Sequence, residues 1–358
     1  MIAFANDNQK QDVIHIWQKS FPDDLPKFMD MYFQRKYKKE NTLLYLAENK
    51  PVSCLQMLPY EMTFYNAICK TSYISGAATL PEYKNQGIMG KLLIDSFSEM
   101  KKRDDDFTTL IPQEPWLVNF YQKYGYTSCF EYSLNSIQID LSAINYENTI
   151  AEINEINAKE GFLYYSEYCK KQNLFVLKSY EDFLIIWEDL QLADGRIFLC
   201  LQSDRVCGIC FCSPSKEKII LKDLIADAEI IEKQLIDAVV AKYPNKEVFI
   251  FKQTGDDYNS ITLGMARIIN VDTVLKAYAD YFPHLENTLK VSDNQIAENN
   301  GIFQLKEGKC VRSKDDNYDL SVDIALLTQL VMGYQTDKLS PLYAVFPSQH
   351  PYLSLMLD

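Results

Sequence analysis

Apolar residues recur at helical spacing through the first part of the chain. Val13, Ile14, Trp17 and Phe21 share one stripe, and Phe28, Met31, Tyr32 and Phe33 repeat the pattern, so amphipathic helices are predicted over 8–21 and the segment after it. The period then shortens. Residues 42–47 are β-prone and run into a turn at 48–51. Strands at 52–58, 62–65 and 69–79, the last two parted by a turn at Asn66-Ala67, predict an antiparallel meander. Helical spacing returns after Gly87, with Ile88, Leu92, Phe97 and Met100 on one stripe of a helix over 87–103. That helix closes on Lys101, Lys102 and Arg103, the charge sign a helix C-terminus prefers. A strand at 107–111, a helix at 116–124 and a strand at 127–139 follow.

A similar rhythm repeats more weakly over 140–263. Strands are predicted at 197–202, 206–213 and 219–225, then a helix at 228–242 and a strand at 248–252. From Met265 the character changes again. A helix over 271–281 precedes a strand at 288–292, and Asn299-Asn300-Gly301 predicts a type I′ hairpin turn. Segments 302–305 and 309–312 flank a Glu307-Gly308 turn. Asp323 then reads as the N-cap of a helix over 324–332 that Gly333 stops. Three domains are expected, at 1–139, 140–264 and 265–358.

Composition supports packed domains and narrows the partners. The chain has 358 residues, 47% hydrophobic and 13% aromatic, enough for two or three cores. Its net charge of −13 disfavours nucleic acid and favours a cationic partner or substrate. The N-terminal segment lacks a basic stretch followed by an apolar one, and no apolar run reaches the ~18 to 20 residues of a membrane span. A soluble, cytoplasmic protein is expected. Nine cysteines, an odd number, fit reduced thiols better than a disulfide framework. Cys207, Cys210 and Cys212 suggest a metal only at first sight, because a structural zinc site needs four ligands and no second pair stands near. On a regular strand Cys210 and Cys212 face one side and Cys207 the other, so core packing is expected, with no metal. His15, His284 and His350 form no ligand spacing either.

The segment carrying chemistry is 73–93, YISGAATLPEYKNQGIMGKLL. It reads as a strand, a short loop and a helix whose first amides are free to bind phosphate. Lys84, Gly87 and Gly90 stand three apart, and the glycines allow a diphosphate to approach the backbone. The pattern resembles the acetyl-coenzyme A signature of GNAT N-acetyltransferases, Arg/Gln-x-x-Gly-x-Gly/Ala. Segment 222–231, KDLIADAEII, stands in the corresponding place of the second half, and its acidic helix start would repel a diphosphate. With segments 119–126 (NFYQKYGY), 265–271 (MARIINV) and 346–352 (FPSQHPY), the whole chain is similar to the Eis (enhanced intracellular survival) branch of that family. Two positions depart from the general signature. Lys84 offers a point charge in place of a bidentate fork, and Met89 stands where a small residue is usual.

The resemblance implies an α+β fold: tandem GNAT-like domains, one active and one degenerate, followed by a domain like sterol carrier protein 2. It implies an acetyl-CoA-dependent N-acetyltransferase acting on a primary amine in a ternary complex, and a homo-oligomer. Backbone groups of Ala77, Ala78 and Thr79 would pair with pantetheine as an added strand. Lys84, Asn85, Gln86, Gly87, Ile88, Met89 and Gly90 would hold the diphosphate. Tyr121 is implied as the general acid that protonates the leaving thiolate. The α-carboxylate of Asp358 is implied as the general base, with Glu114 in reserve. The alternative is a catalytically inactive module that binds acyl-CoA or lipid.

Overall fold

The computed structural model describes residues 1–138, 147–253 and 260–357. The chain begins with β1 (Ile2–Phe4), α1 (Lys10–Ser20), α2 (Pro26–Arg35), β2 (Thr42–Ala47), β3 (Lys50–Phe64) and β4 (Ala67–Thr79). Next come α3 (Ile88–Lys102), β5 (Phe107–Leu110), α4 (Pro115–Gln122) and β6 (Thr127–Ser136). The middle holds β7 (Thr149–Glu152), α5 (Ala158–Lys171), β8 (Val176–Leu177), α6 (Tyr180–Leu192), β9 (Arg196–Gln202) and β10 (Arg205–Pro214). It continues with β11 (Lys218–Ala226), α7 (Glu229–Lys242) and β12 (Glu247–Gln253). The last part comprises β13 (Ser260–Ile268), α8 (Val271–Tyr281), β14 (Asn287–Ser292), β15 (Gly301–Lys306), β16 (Lys309–Ser313), β17 (Leu320–Asp323) and α9 (Ile324–Val331). Two compact units result, one built from 1–130 with 262–351 and the other from 131–261 with 352–357. No helix among the described residues is long and apolar enough to cross a membrane.

In the first unit the strands run β1-β2-β3-β4-β5-β13, antiparallel except for the parallel pair β4–β5. The predicted strands at 52–58 and 62–65 are one long strand, in which Pro59 pairs with Ser72. Helix α3 buries the stripe that its spacing predicts: Leu92, Phe97 and Met100 pack with Leu55, Met57, Ile74 and Leu110. A second sheet, β16-β15-β14-β17, belongs to the same unit. Asp323 caps α9 by accepting from the Leu326 amide at 2.8 Å, and Gly333 ends it at φ +64°. Glu307 and Gly308 both take positive φ, as the turn between β15 and β16 needs.

The expected hairpin turn at Asn299-Asn300-Gly301 does not form. Residues 297–299 are a 3-10 turn, and Asn300 has φ −72°. The asparagines are engaged with Asp293 instead: Asn299 Nδ2 donates to its carboxylate at 2.9 Å, and the Asp293 amide donates to Asn300 Oδ1 at 2.9 Å. The same carboxylate receives Arg267 Nη2 at 2.9 and 3.0 Å. Both members of that pair are wholly buried, so local turn preference yields to a charge that must be satisfied.

The second unit orders its strands β6-β12-β11-β10-β9-β7, antiparallel except for β11–β12. Helix α5 packs on β10, α6 on β9, and α7 on β9 and β10. Neither α5 nor α6 stands out in the periodicity. Cys207 also departs from expectation. It lies in one apolar cluster with Cys210 and Cys212, because the β9–β10 register shifts between Val206 and Gly208 and the bulge reverses the alternation. All nine cysteines are free and buried.

Candidate active site

The site begins where two parallel strands part. β4 and β5 pair from Thr71↔Phe107 to Tyr73↔Thr109, yet β4 continues to Thr79. Its last residues, including Ala77, Ala78 and Thr79, therefore have no strand partner on the β5 side among the described residues. On the other side β4 is bulged: Cys54 pairs with Ala78 and Gln56 with Ser75, so Leu55 faces both Gly76 and Ala77. Gly76 takes φ +56°, and a Cβ there would come within 2.3 Å of Trp17 Cζ3. Only glycine fits both the conformation and the space.

Trp17 is held by its own network. Its Nε1 donates to Asp24 Oδ2 at 2.6 Å, and its ring lies 4.7 Å from that of Tyr32. The Tyr32 hydroxyl reaches Ser75 Oγ at 2.9 Å and donates to Gln56 Oε1 at 3.3 Å. Gln56 Nε2, 3.1 Å from the position of a Gly76 Cβ, is a buried donor without a partner among the described residues.

Beyond β4 the chain turns into α3 without a side-chain cap. Gly87 is the N-cap, in the left-handed region at φ +73°, and no side chain accepts from the first-turn amides. A Cβ on Gly87 would meet nothing within 4 Å. Lys84, Asn85 and Gln86 are exposed, with Gln86 Nε2 turned back to the Glu82 carbonyl at 3.1 Å. Exposed uncapped amides at the positive end of a helix, next to an open strand edge, fit the diphosphate and pantetheine of an acyl-CoA. Ile88 is buried and Met89 half-buried. Gly90 is different: the space above it is filled by Tyr124, whose hydroxyl lies 1.9 Å from where a Cβ would stand.

That contact joins the two helices of the site. Tyr121, Phe120 and Tyr124 come from α4 and the turn after it, and they pack in one cluster with Ala77, Met89, Leu92 and Leu93. Tyr121 is 7% exposed, and its ring lies 5.7 Å from Tyr126. Burial alone pushes its phenol up to about 12, so it holds its proton throughout the neutral range. Tyr126 is pinned by Thr108 Oγ1 at 3.1 Å. Gly125, between them, takes φ +82° with Arg267 Nη1 and Ile324 Cγ2 each 2.6 Å from its Cβ position. Glu114 is exposed at the N-cap of α4, and Asp358 lies outside the described residues. The expected residues of β4, α3 and α4 thus meet in one place. Trp17, Gln56, Tyr32 and the Gly76 bulge join them unannounced, although Gly76 directly precedes the pair of alanines in the signature segment.

Residues 2–129 match the model of the acetyltransferase (GNAT) domain, and residues 271–344 match that of the sterol carrier protein domain. Residues 2–129 are a GNAT acetyltransferase domain. Residues 271–344 are a sterol carrier protein domain, and the second unit repeats the strand order of the first. Solved structures share the fold over nearly the whole length of the chain. A GCN5-related N-acetyltransferase from Anabaena variabilis aligns with TM-score 0.81 at 16% identity, covering 98% of each chain. A probable N-acyltransferase from Enterococcus faecalis gives 0.79 at 15%, and Eis1 from Mycobacterium abscessus 0.78 at 14%, each covering 99% of both chains. At such identities the likeness is one of fold. No curated protein sequence matches the chain significantly.

Proposed function

We propose that this acetyltransferase moves an acetyl group from acetyl-CoA to a primary amine within a ternary complex. The observation that carries the reading is the parting of β4 from β5 beside the uncapped start of α3. The acyl donor supplies an activated thioester. The α3 amides and Lys84 bind its diphosphate, the open edge at Ala77–Thr79 orients the pantetheine, and an amide at the Gly76-Ala77 bulge polarises the carbonyl. The amine nitrogen attacks the carbonyl carbon, the C–S bond breaks, and Tyr121 gives its proton to the departing sulfur. The proton released by the amine goes to the Asp358 carboxylate. In this reading 1–139 is the catalytic domain, 140–264 does not bind cofactor, and 265–358 is the domain like sterol carrier protein 2.

Charge supports a cationic acceptor. A cavity of about 430 Å³ between α1 and α2 is lined by Asp24, Asp30, Phe21 and Phe33, together with Lys10, so carboxylates outnumber cations there as they do on a chain of net charge −13. Carboxylates beside aromatic faces suit an alkylammonium. The test is thiol release across a panel of amines with Tyr121→Phe. Turnover should fall by about 10² to 10⁴, the usual contribution of a general acid, with the KM for acetyl-CoA unchanged. Unchanged turnover would remove Tyr121 from the mechanism. Tight acetyl-CoA binding without thiol release from any amine would favour the binding-module alternative.

A further inference from the structure

The second unit repeats the strand order that frames the site of the first, without the phosphate-binding turn. β11 and β12 run parallel and pair from Lys218↔Glu247 to Leu221↔Ile250, while β11 continues to Ala226. A cavity of about 220 Å³ lies where they part, lined from α5, β11, β12 and the first turn of α7. All of its lining residues belong to the second unit, and it shares none with the cavity between α1 and α2.

The walls are largely aromatic. Tyr168, Phe175, Phe251 and Tyr352 supply rings, those of Phe175 and Phe251 lying 4.9 and 6.3 Å from that of Tyr352. Two of the three charges that line the cavity offset each other: Lys252 Nζ stands 3.6 Å from Glu232 Oε1, and both side chains reach solvent. The third charge is the buried Asp223. Its Oδ1 accepts from the Tyr352 hydroxyl at 2.5 Å, and its Oδ2 accepts from Ser354 Oγ and the Tyr165 hydroxyl at 2.9 and 3.3 Å. Burial raises its pKa, and the hydroxyls of Tyr352 and Ser354 pull it back. Among the described residues no cation forms an ion pair with it. The buried Lys178, which does not line the cavity, lends it opposite charge from farther off.

We propose that this cavity binds a small organic ammonium ion, with Asp223 as its counter-charge and the aromatic side chains as its walls. The inference is separate from the proposed acetyl transfer and does not rest on it. Charge selects the class. An anion would meet Asp223, with Glu229 and Glu232 in the first turn of α7 beside it. A neutral apolar molecule would strip water from a carboxylate and return no charge to it. An ammonium returns that charge. Three hydroxyls occupy three of the roughly four lone-pair positions of the carboxylate, which leaves one for an N–H donor. Aromatic walls favour the same ion through their ring faces. Size sets the limit. An apolar cavity of about 150 Å³ accepts benzene, so this one admits a single ring carrying a short amino arm.

The experiment is a titration of the full chain, labelled at its isoleucine methyls, with benzylamine, benzyl alcohol and benzoate, followed by NMR. Ile225 and Ile250 line this cavity and Ile14 lines the one between α1 and α2, so each site has its own reporter. Benzylamine should shift Ile225 and Ile250 to saturation. Benzyl alcohol should bind there about tenfold more weakly or worse, and benzoate should leave both methyls unmoved. Asp223→Asn keeps an oxygen for the three hydroxyls and removes the charge, so it should weaken benzylamine about tenfold or more. Tyr168→Leu should weaken it about threefold. Shifts confined to Ile14 overturn the site while leaving the acceptor reading untouched. Equal affinity for amine and alcohol, or wild-type affinity in a folded Asp223→Asn, overturns the role of the carboxylate and with it the proposal. Should Asp223→Asn fail to fold, the amine-to-alcohol ratio on the unmodified chain and Tyr168→Leu still decide.

Discussion

The least replaceable residues at the site are the ones with no side chain. Gly90 keeps the first turn of α3 open for the Tyr124 hydroxyl, which occupies the place of its missing Cβ. Gly90→Ala should therefore cost about 1 to 3 kcal/mol, the range for overpacking, and combining it with Tyr124→Ala should restore much of the loss. A double-mutant cycle read by thermal unfolding checks this coupling, and additive losses would refute it. Tyr121 offers a second handle at this scale. Its phenol is raised by burial to about 12, above the ordinary value near 10, so the acid is present at every pH below the unperturbed value. The pH profile of kcat/KM should show no basic limb from Tyr121 below pH ~10, and any limb near neutrality should survive in Tyr121→Phe. The same shift makes folding weaken as pH rises from ~10 through ~12, since the unfolded chain loses that proton first. The tyrosine was legible in the sequence through its Phe-Tyr-x-x-x-Gly-aromatic context. Trp17 and Gln56 were not, because the bulge at Gly76 brings in one residue from the paired strand and one from a distant helix, and spacing carries no trace of that.

At the scale of elements, helices with strong stripes and caps could be read directly from the chain. α3, α8 and α9 lie close to where periodicity, Asp323 and Gly333 put them. α5 and α6 show what pattern reading loses. Their buried faces are built from Phe162, Tyr165, Cys169, Phe183 and Ile186, and aromatics and cysteine suit strands as well as helices. A start signal was nevertheless present for α6. Ser179 accepts from the Asp182 amide at 3.1 Å, and Asp182 accepts from the Ser179 amide at 3.0 Å, closing a capping box. Ser179→Ala should lower stability by about 1 kcal/mol, and Ser179→Asn should lower it less, measured by chemical denaturation. The failed hairpin at Asn299 teaches the converse. Its asparagines had the right chemistry for a turn, and a buried aspartate used that chemistry instead.

At the scale of the whole molecule, one buried ion pair belongs to several parts at once. Arg267 follows β5 in the sheet, stacks 4.5 Å over Phe97 of α3, crowds Gly125 after α4, and pairs with Asp293 from the region that follows β14. Its Nε and Nη1 have no partner among the described residues. Arg267→Met should destabilise the chain by about 3 to 5 kcal/mol by stranding Asp293, and adding Asp293→Leu should be milder than the single change. A larger loss in the double variant than in the single would show that the pair, and not its unpaired remainder, holds the parts together. The nine buried cysteines have a different consequence, at the bench. Burial pushes Cys54 up to about 12 and raises Cys129 as well, so these thiols are neither exposed nor ionised at neutral pH. A disulfide reagent that reports released coenzyme A will find almost nothing to react with on the folded enzyme. Colour in the absence of an amine then counts unfolded molecules, and each assay carries its own quality control.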